Sequence, residues 1–296
     1  MMNTFKKLLG LVFIASLILA LASCNTPIVL DPKGAIGIQE KDLVIDALLL
    51  MSIVVIPVII MTMFFAWKYR ASNPKATYAP NWHHSNILEV FVWGIPVVII
   101  LVLGTITWRT THSLDPYKPL QSNKKPLQIE VVALDWKWLF IYPEQNIATV
   151  NFIEFPVDTP ISFSLTSDAP MNGFQIAQLG TQIYTMAGMK TKLQLIANEA
   201  GDYSGRSTNY SGGGFSDMTF VARATTDADF NTWVQSVKNV GNTLDANTYY
   251  TLEKPSYADP VTAYASVQNH LFDNIIMKFM MPNMDDLSAD HSNMKM

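Results

Sequence analysis

The only cysteine of the chain lies where a lipid could be attached. Cys24 follows the small residues Ala22 and Ser23, at the end of an apolar run over residues 8–22 that has a short basic start. This pattern is typical of a secretory signal, and its end resembles the bacterial lipobox, whose cysteine is diacylated after the chain is cut just before it. We therefore expect a lipoprotein signal peptide over residues 1–23 and a lipidated Cys24. The alternative is a first transmembrane helix with an incidental cysteine, for which the run is short.

A carboxyl group inside an apolar segment is the second candidate for chemistry. The only charge within residues 87–108 is Glu89, close to the start of the segment. Ionisable groups inside membrane spans are rare and mark functional sites. The alternative is a carboxylate that reaches the membrane interface and meets the positive end of a helix dipole in the first turn. The residues alone leave both interpretations open.

Composition restricts the class of protein that can carry these residues. The chain has 296 residues, of which 49% are hydrophobic and 15% charged, against roughly 25% charged in soluble domains. This argues against a purely cytosolic globular enzyme. The 20 basic and 24 acidic residues give a net charge of −4 without a basic stripe, so nucleic acid is not expected as a partner. One cysteine excludes an internal disulfide framework and a multi-thiolate metal site.

Two apolar stretches must position Glu89. Residues 43–66 contain only Asp46 as a charge, near one end, and residues 87–108 contain only Glu89. Each stretch is long enough to cross a hydrocarbon core of ~30 Å. They therefore predict two transmembrane helices that form a hairpin, with Asp46 reaching the headgroups.

Charges outside the two stretches give the hairpin a direction. The link over residues 67–86 carries Lys68, Arg70 and Lys75 and no acid, whereas residues 24–42 carry two bases and three acids. The positive-inside rule places the link in the cytoplasm. The lipidated N-terminus and everything after the second span are then periplasmic, which agrees with the direction of export that a signal peptide requires.

Beyond the second span the sequence pattern changes to short alternating runs. Apolar residues occupy every second position in several stretches between residues 127 and 222, as in Trp136, Trp138 and Phe140. This alternation is typical of strands, and Pro, Gly and Asp residues separate the stretches. We expect one all-β domain over residues 120–225, built as an antiparallel sandwich.

Residues 226–282 have the spacing of helices instead. A first helix is capped by Thr226, and residues 244–252 and 260–281 predict two more, packed on the β domain or on a partner. The tail over residues 283–296 is expected to be disordered. Its methionines and aspartates leave weak binding of a soft metal ion as the alternative.

Several segments resemble those of one known family in amino-acid sequence as well as in their order along the chain. They cover residues 135–145, 182–189 and 210–215. With the order of lipobox, two-helix hairpin and sandwich, they resemble subunit II of the haem-copper respiratory oxidases, and within it the bo-type ubiquinol oxidases. The resemblance covers nearly the whole chain after the signal peptide and fades in the tail. It implies a membrane-anchored α+β fold whose sandwich is a cupredoxin-like domain.

Members of this family that oxidise cytochrome c hold a binuclear copper centre, copper-A, in the cupredoxin domain. Its ligands are one loop histidine and a second loop of the form Cys-x-Glu-x-Cys-x-x-x-His-x-x-Met. This chain keeps the spacing without the ligands. The corresponding positions hold Asn172, Ser207, Asn209, Ser211, Phe215 and Met218. Only the methionine matches the family pattern.

Composition leads to the same conclusion about copper. The histidines are His83, His84, His112, His270 and His291, and neither a histidine nor a cysteine lies between residues 120 and 225. Because a cupredoxin copper needs imidazole and thiolate together, we predict that the domain binds no copper. Our hypothesis is that Ser207, Asn209 and Ser211 form an ordinary hydrogen-bonded loop.

Loss of copper-A is the mark of the quinol-oxidising members. The resemblance implies an enzyme that oxidises ubiquinol, reduces oxygen at a haem and copper site in subunit I, and pumps protons across the bacterial inner membrane. It implies no catalytic residue, metal or cofactor in this chain. The expected partners are subunit I, the other oxidase subunits and membrane lipid. Quinol would be met only through subunit I, and no role for cytochrome c is expected.

The resemblance also suggests roles for single residues. Glu89 matches a glutamate at the mouth of a lysine-containing proton path through subunit I, where it would collect protons from the cytoplasmic surface. Trp136 and Trp138 lie where copper-A members have an aromatic run that passes electrons. Without copper, we expect both to pack at the sandwich edge and against subunit I. The adjacent His83 and His84 are expected to be solvated, without an assigned role.

Two other classes of protein share parts of this pattern. A cytochrome c oxidase subunit II would need the missing copper-A ligands. A free-standing lipoprotein with a cupredoxin-like binding domain would have no need of a two-helix hairpin that carries Glu89. The choice between ubiquinol and menaquinol stays open, because the quinol would bind subunit I.

Overall fold

The computed structural model describes residues 27–77 and 79–280. The predicted signal peptide, Cys24 and the tail over residues 283–296 lie outside the described residues. Within the described ranges the chain forms a pair of long helices, two facing sheets and three shorter helices.

The two long helices come first. Helix α1 spans Ala35–Lys68 and helix α2 spans Asn86–Ser113. At 1.5 Å per residue they are about 50 and 40 Å long, which exceeds a hydrocarbon core of ~30 Å. Most of their apolar side chains are exposed, and both helices are long and apolar enough to cross a membrane. Pro57 and Pro96 lie inside them, which membrane helices tolerate.

Helix α1 begins well before the predicted span over residues 43–66, because its first turn rests on the sandwich. The backbone N–H of Gly37 donates to the carbonyl of Leu179 at 3.1 Å. A Cβ at Gly34 would lie 2.9 Å from the same carbonyl oxygen, so this close approach requires glycine. These contacts allow the helix to include the charged residues 40–42. A span predicted from the length of the apolar stretch alone leaves these residues out.

The remaining elements follow residue 126. The strands are β1 Leu127–Leu134, β2 Lys137–Tyr142, β3 Ile147–Val150, β4 Phe152–Pro156, β5 Ile161–Ser167, β6 Asn172–Ile176, β7 Ile183–Thr185, β8 Thr191–Leu195, β9 Gly201–Ser207, β10 Thr219–Thr225, β11 Thr243–Leu244, β12 Thr262–Tyr264 and β13 Ser266–Val267. The shorter helices are α3 Asp227–Lys238, α4 Ala246–Leu252 and α5 Leu271–Met280.

The strands form a two-layer sandwich, as expected. One sheet has the strand order β12-β3-β2-β1-β5-β8 and the other β4-β10-β9-β6-β7, while β11 and β13 form a small separate pair. Within the two sandwich sheets most pairings are antiparallel, but β1 with β5 and β4 with β10 are parallel. The separate β11–β13 pair is parallel as well. The prediction of a purely antiparallel sandwich is therefore wrong for the β1–β5 and β4–β10 pairings.

The core between the sheets is aromatic. Phe140 of β2 lies 5.0 Å from Phe220 of β10, between ring centroids, and Phe174 of β6 stacks on Phe220 at 5.1 Å. Helix α3 closes one end of this core with Phe230 and Val234. The Thr226 side chain accepts a hydrogen bond from the Asp229 backbone N–H and so caps α3, as its spacing predicts.

The outer face of the six-stranded sheet is also covered. Side chains such as Val132, Leu139 and Ile141 pack there against Phe272 and Ile275 of α5. The strands β1 and β2 are therefore buried on both faces. The C-terminal helices pack on the β domain of the same chain, which was one of the two expected arrangements.

The predicted helix over residues 260–281 is wrong in its first half. Strand β12 lies there and pairs antiparallel with β3, and α5 begins only at Leu271. His270 has a φ of +61° immediately before it, which interrupts any helix at that point. Val267 and Ile275 belong to the same core cluster, although Val267 lies in strand β13 and Ile275 in α5. Their spacing therefore looks like that of one continuous helix.

Candidate functional site

The two loops that correspond to copper-A lie together at one end of the five-stranded sheet. Asn172 begins β6 and Ser207 ends β9, and these strands are antiparallel neighbours. Asn209 and Ser211 follow in the β9–β10 loop. Phe215 begins a single 3-10 turn, and Met218 directly precedes β10. The structure thus brings the six positions into one region, which we call the vacated copper loops.

Hydrogen bonds between side chain and backbone hold the vacated copper loops together. The Ser207 hydroxyl donates to the Asn172 Oδ1 at 2.9 Å, and both residues are buried. Asn172 Nδ2 donates to the carbonyl of Pro170 at 2.8 Å, and Asn209 Nδ2 donates to the carbonyl of Met171 at 2.8 Å. Ser207 and Asn209 therefore take part in the hydrogen-bonded loop of our hypothesis.

Ser211 does not take part through its side chain. Its Oγ is buried and has no hydrogen-bond partner among the residues that the structure describes. Its backbone carbonyl instead accepts a hydrogen bond of 3.1 Å from Trp136 Nε1. The hypothesis is wrong for the Ser211 hydroxyl, because the loop uses the main chain at this position.

The donor atoms at the vacated copper loops do not fit a cupredoxin copper. Ser207 and Asn172 offer hard oxygen and amide groups that already bond each other, and Phe215 offers an aromatic ring, which packs edge-on against Tyr210. The buried Met218 is the only soft donor of the six. Soft copper centres need thiolate and imidazole. Within residues 27–77 and 79–280 no group of three His, Cys, Asp or Glu residues could hold a metal.

Trp136 lies in the turn between β1 and β2 rather than in a strand. Its φ of +63° is unusual for a bulky residue and turns the indole towards the β9–β10 loop. A Cβ at Gly214 would lie 2.5 Å from this ring, so glycine is required there. The indole also stacks on the ring of Tyr257, with ring centroids 4.7 Å apart.

Trp138 lies in the core instead of at the sandwich edge. It is fully buried, with its ring edge-on to Phe174 at 5.2 Å and to Phe220 at 5.9 Å. The expectation of an edge position is therefore wrong for Trp138. The reason is register: Trp138 begins the inward-facing series of β2, whereas Trp136 precedes the strand.

A buried lysine fixes the segment that carries Tyr257. Lys137 Nζ lies 2.8 Å from Asp259 Oδ2 and donates to the carbonyl of Lys254 at 2.9 Å and to the Ser256 hydroxyl. Burial opposes ionisation of Asp259, but its hydrogen bonds with Lys137 and Ser256 prevail and lower the pKa of this carboxyl. Residues 254–259 are thereby held beside the vacated copper loops.

A second polar cluster ties the C-terminal helices to the first of the two loops. Asp168 has a side chain only 2% exposed. It accepts hydrogen bonds from the Tyr249 hydroxyl at 2.6 Å and from Lys278 Nζ at 3.0 Å. Burial, together with the hydrogen bond to Asp168, raises the pKa of Tyr249, so the hydroxyl stays a donor. Sequence reasoning missed Tyr249, Tyr257 and Asp168, because their partners lie far away along the chain.

Glu89 lies at the opposite end of the molecule, in the first turn of α2. Its backbone N–H donates to the carbonyl of Ser85, the N-cap residue, at 3.0 Å. Its Oε1 lies 2.6 Å from His84 Nδ1. His83 turns elsewhere, with Nδ1 2.6 Å from the carbonyl of Asn81. Only His84 of the two adjacent histidines therefore contacts Glu89, a difference that the sequence does not predict.

Comparisons with known proteins agree on one group of relatives. A family described as COX Aromatic Rich Motif matches residues 238–283. Cytochrome bo(3) ubiquinol oxidase subunit 2 of Pseudomonas aeruginosa is 58% identical, over 88% of this chain and 78% of that protein. Ubiquinol oxidase subunit 2 of Acetobacter aceti is 54% identical, over 88% and 85%. Quinol oxidase subunit 2 of Bacillus subtilis is 36% identical, over 88% and 83%.

Among solved structures, the chain is similar to the periplasmic domain of subunit II of cytochrome oxidase of Bradyrhizobium japonicum. The match has a TM-score of 0.39 and 19% identity, and it covers 41% of this chain and 98% of that one. The matched part of this chain is thus less than half of its length.

Proposed function

The chain belongs to the family of quinol oxidase subunit 2 proteins, and from this premise we propose that it is the copper-free subunit II of a proton-translocating ubiquinol oxidase. The assembled enzyme would transfer electrons from ubiquinol to oxygen. Haem and copper would belong to subunit I, and this chain would supply no catalytic centre. Its tasks would be assembly, a periplasmic cap over subunit I and an entrance for protons.

The observation that carries this proposal is the chemistry of the vacated copper loops. Where a copper-A centre needs thiolates and imidazoles, this chain has the buried Ser207–Asn172 hydrogen bond and the ring of Phe215. A domain with these groups has no electron relay to offer cytochrome c. A membrane quinol that reaches subunit I directly needs no such relay.

Membrane attachment in this proposal has two parts. The exposed apolar side chains of α1 and α2 would contact lipid and the apolar helices of subunit I. Cys24, by its lipobox-like sequence, would carry a diacyl group at the periplasmic surface of the inner membrane. Metabolic labelling with a radioactive fatty acid tests the anchor, since Cys24→Ala should lose the label.

The position of Glu89 supports a proton entrance. It is the only charge in residues 87–108 and lies in the first turn of α2, at the end that the basic link places in the cytoplasm. We propose that Glu89 collects protons there for the path through subunit I. A carboxylate that only complements the helix dipole is the competing explanation.

Purification through a tag on this chain in mild detergent tests the proposed function. We expect co-purified haem in the visible spectrum and oxygen uptake with ubiquinol but not with reduced cytochrome c. Metal analysis should find copper only in the amount that subunit I accounts for. A colourless lone protein would favour the alternative, a periplasm-facing lipoprotein with a binding domain. Oxygen uptake with reduced cytochrome c would favour a cytochrome c oxidase.

A further inference from the structure

An aromatic cavity lies at the end of α1, where the chain leaves the span predicted over residues 43–66. The cavity is partly open and has a volume of about 620 Å³, which is large enough for a ligand. Its lining residues are Phe65, Tyr69, Thr77, Ala79 and Trp82. Tyr69 and Trp82 are exposed, so the cavity is accessible from outside the chain. Tyrosine and tryptophan are the side chains that membrane proteins place at the level of the lipid headgroups.

Hydrogen bonds order both walls of this cavity. The backbone N–H of Tyr69 donates to the carbonyl of Phe65 at 2.9 Å, which closes the last turn of α1. Asn73 Nδ2 donates to the carbonyl of Lys68, the last residue of α1, at 2.6 Å. In the facing wall, the backbone N–H of Trp82 donates to the carbonyl of Ala79 at 3.2 Å. The rings are therefore carried by a closed helix end and a hydrogen-bonded turn.

A lysine lies beside the aromatic wall. Lys68 Nζ is 5.5 Å from the ring centroid of Tyr69, which lines the cavity, and 5.4 Å from that of Phe64. Lys68 is half-buried, as expected for a side chain whose stem covers apolar surface while its ammonium group reaches the water. The cavity thus has a positive group next to its aromatic wall.

The positive charge around the cavity lacks a counter-charge. The link over residues 67–86 carries Lys68, Arg70 and Lys75 and no acid. In residues 27–77 and 79–280 none of these three bases forms an ion pair. The first acid after the link, Glu89, contacts His84 instead. An anionic ligand would therefore complement this part of the chain.

The aromatic wall and the ammonium group match the two parts of one kind of molecule. An acyl chain suits the rings and a phosphate suits the lysine. The cytoplasmic leaflet attracts bases close to membrane spans because it contains anionic lipids, and basic pockets between transmembrane helices bind their headgroups. We propose that the cavity binds one anionic phospholipid of the cytoplasmic leaflet, with its phosphate at Lys68 Nζ and part of an acyl chain between Tyr69 and Trp82.

The bound lipid has a structural consequence. It contacts both the end of α1 and the turn over residues 79–82, and this turn precedes α2. The lipid therefore stabilises the hairpin at its cytoplasmic end. The inference rests on the membrane orientation in the proposed function, but it assigns a ligand that this function does not include.

The test uses the whole complex, purified through a tag on this chain and depleted of lipid in detergent. The complex is incubated with phosphatidylglycerol, which is anionic, or with phosphatidylcholine, which has a zwitterionic headgroup on the same acyl chains. Native mass spectrometry then counts the lipid molecules that each complex retains. Glycerol 3-phosphate, added as a competitor, shows whether the phosphate is recognised without acyl chains. Haem content and oxygen uptake with ubiquinol check assembly.

Four variants distinguish the parts of the site. Lys68→Gln removes the charge beside the aromatic wall, Lys68→Arg keeps it, and Trp82→Ala removes a lining ring. Lys75→Gln is the matched control, because it removes a charge from the same link but not from a lining residue or from Lys68. Since the other subunits can also bind lipid, the quantity of interest is the difference between each variant and the unaltered complex.

We expect Lys68→Gln and Trp82→Ala to retain one phosphatidylglycerol molecule fewer than the unaltered complex, with several-fold more lipid needed to restore it. Lys68→Arg and Lys75→Gln should retain as many as the unaltered complex. Retention of phosphatidylcholine should be lower than that of phosphatidylglycerol in the unaltered complex and unchanged by Lys68→Gln. Glycerol 3-phosphate should compete weakly, because it lacks the acyl chains that contact the rings.

Several results would overturn the inference. Equal retention of the two lipids would show a groove that does not recognise the headgroup, and an equal loss in Lys75→Gln would show only the diffuse charge of the link. Full displacement by glycerol 3-phosphate would show a phosphate site without a lipid. Unchanged retention in Lys68→Gln and Trp82→Ala, with normal haem and oxygen uptake, would remove the lipid site and leave the proposed function standing. A complex without haem would contradict the proposed function itself, so the two failures are distinguishable.

Discussion

The indole ring of Trp136 stacks on the phenol ring of Tyr257, with centroids 4.7 Å apart and planes inclined by 26°. Trp136 comes from the β1–β2 turn and Tyr257 from the segment after α4. The indole Nε1 also donates to the carbonyl of Ser211. One side chain therefore connects the β9–β10 loop, which is part of the vacated copper loops, with the C-terminal segment.

The first prediction concerns this contact. We expect Trp136→Ala to lower the free energy of unfolding by about 2 kcal/mol, because a large, partly buried ring is lost, while Trp136→Phe loses less. Oxygen uptake with ubiquinol should stay normal in Trp136→Phe, since the ring packs and carries no electrons. Thermal unfolding and oxygen uptake of the purified complex measure both effects.

The matched control for the stack is Tyr250→Ala, which removes an exposed aromatic ring from α4 and should change neither quantity. If Trp136→Phe kept its stability and its haem but lost turnover, a packing role would be contradicted. An electron-transfer role for the ring would then have to be reconsidered.

Much of the fold follows from local sequence properties. The apolar lengths that predict two spans and the alternation that predicts strands depend on neighbours along the chain. The start of α1 cannot be predicted from local sequence, because it depends on a contact with Leu179 in the β6–β7 connection. Strand β12 was likewise missed, because its partner β3 lies far upstream and its own sequence continues a helical apolar spacing.

The site divides in the same way. The positions of Asn172, Ser207 and Asn209 follow from loop spacing. The buried side chains of Asn172 and Ser207 bond each other, as buried polar groups must. Tyr257 gave no local signal, because only the fold brings it to Trp136. His84 was indistinguishable from His83 in sequence, since the N-cap geometry decides which of them meets Glu89.

The second prediction compares two serines of the vacated copper loops. Ser207→Ala should lower the free energy of unfolding by about 1–2 kcal/mol, because it leaves the buried Asn172 Oδ1 without this donor. Ser211→Ala is the control and should be neutral or slightly stabilising, since its hydroxyl is buried without a partner in the described part of the chain. Thermal or urea unfolding measures the difference. Equal losses in the two variants would contradict the hydrogen-bond assignment.

The third prediction concerns Glu89. Glu89→Ala should slow oxygen uptake and proton uptake several-fold while haem content stays normal, because the carboxyl group that receives protons is lost. Glu89→Asp should be milder, since it keeps a carboxyl group on a shorter side chain. Asp46→Asn is the control. That carboxylate lies in α1, near the end of the first span that the charge pattern places on the periplasmic side, away from the proposed proton entrance. Turnover of Glu89→Ala at the normal rate would return Glu89 to a helix-end role.

The fourth prediction is a pH dependence set by Asp259. Its hydrogen bonds with Lys137 and Ser256 outweigh burial and hold the pKa of this carboxyl below its ordinary value, which is about 3.9 in an unfolded chain. The stabilisation is therefore fully present above that value and is lost as the pH falls through the lower, folded-state pKa. The melting temperature measured as a function of pH should therefore fall at acid pH, and we call this fall the acid limb.

Asp259→Asn separates this effect from general acid unfolding. The variant should flatten the acid limb and lower the free energy of unfolding at neutral pH by about 3 kcal/mol, because Lys137, 2% exposed, keeps its charge without a counter-ion. Asp202→Asn breaks an exposed ion pair with Arg223 and should cost at most about 1 kcal/mol. An acid limb equally steep in Asp259→Asn and in the unaltered protein would show that the Lys137–Asp259 pair does not determine it.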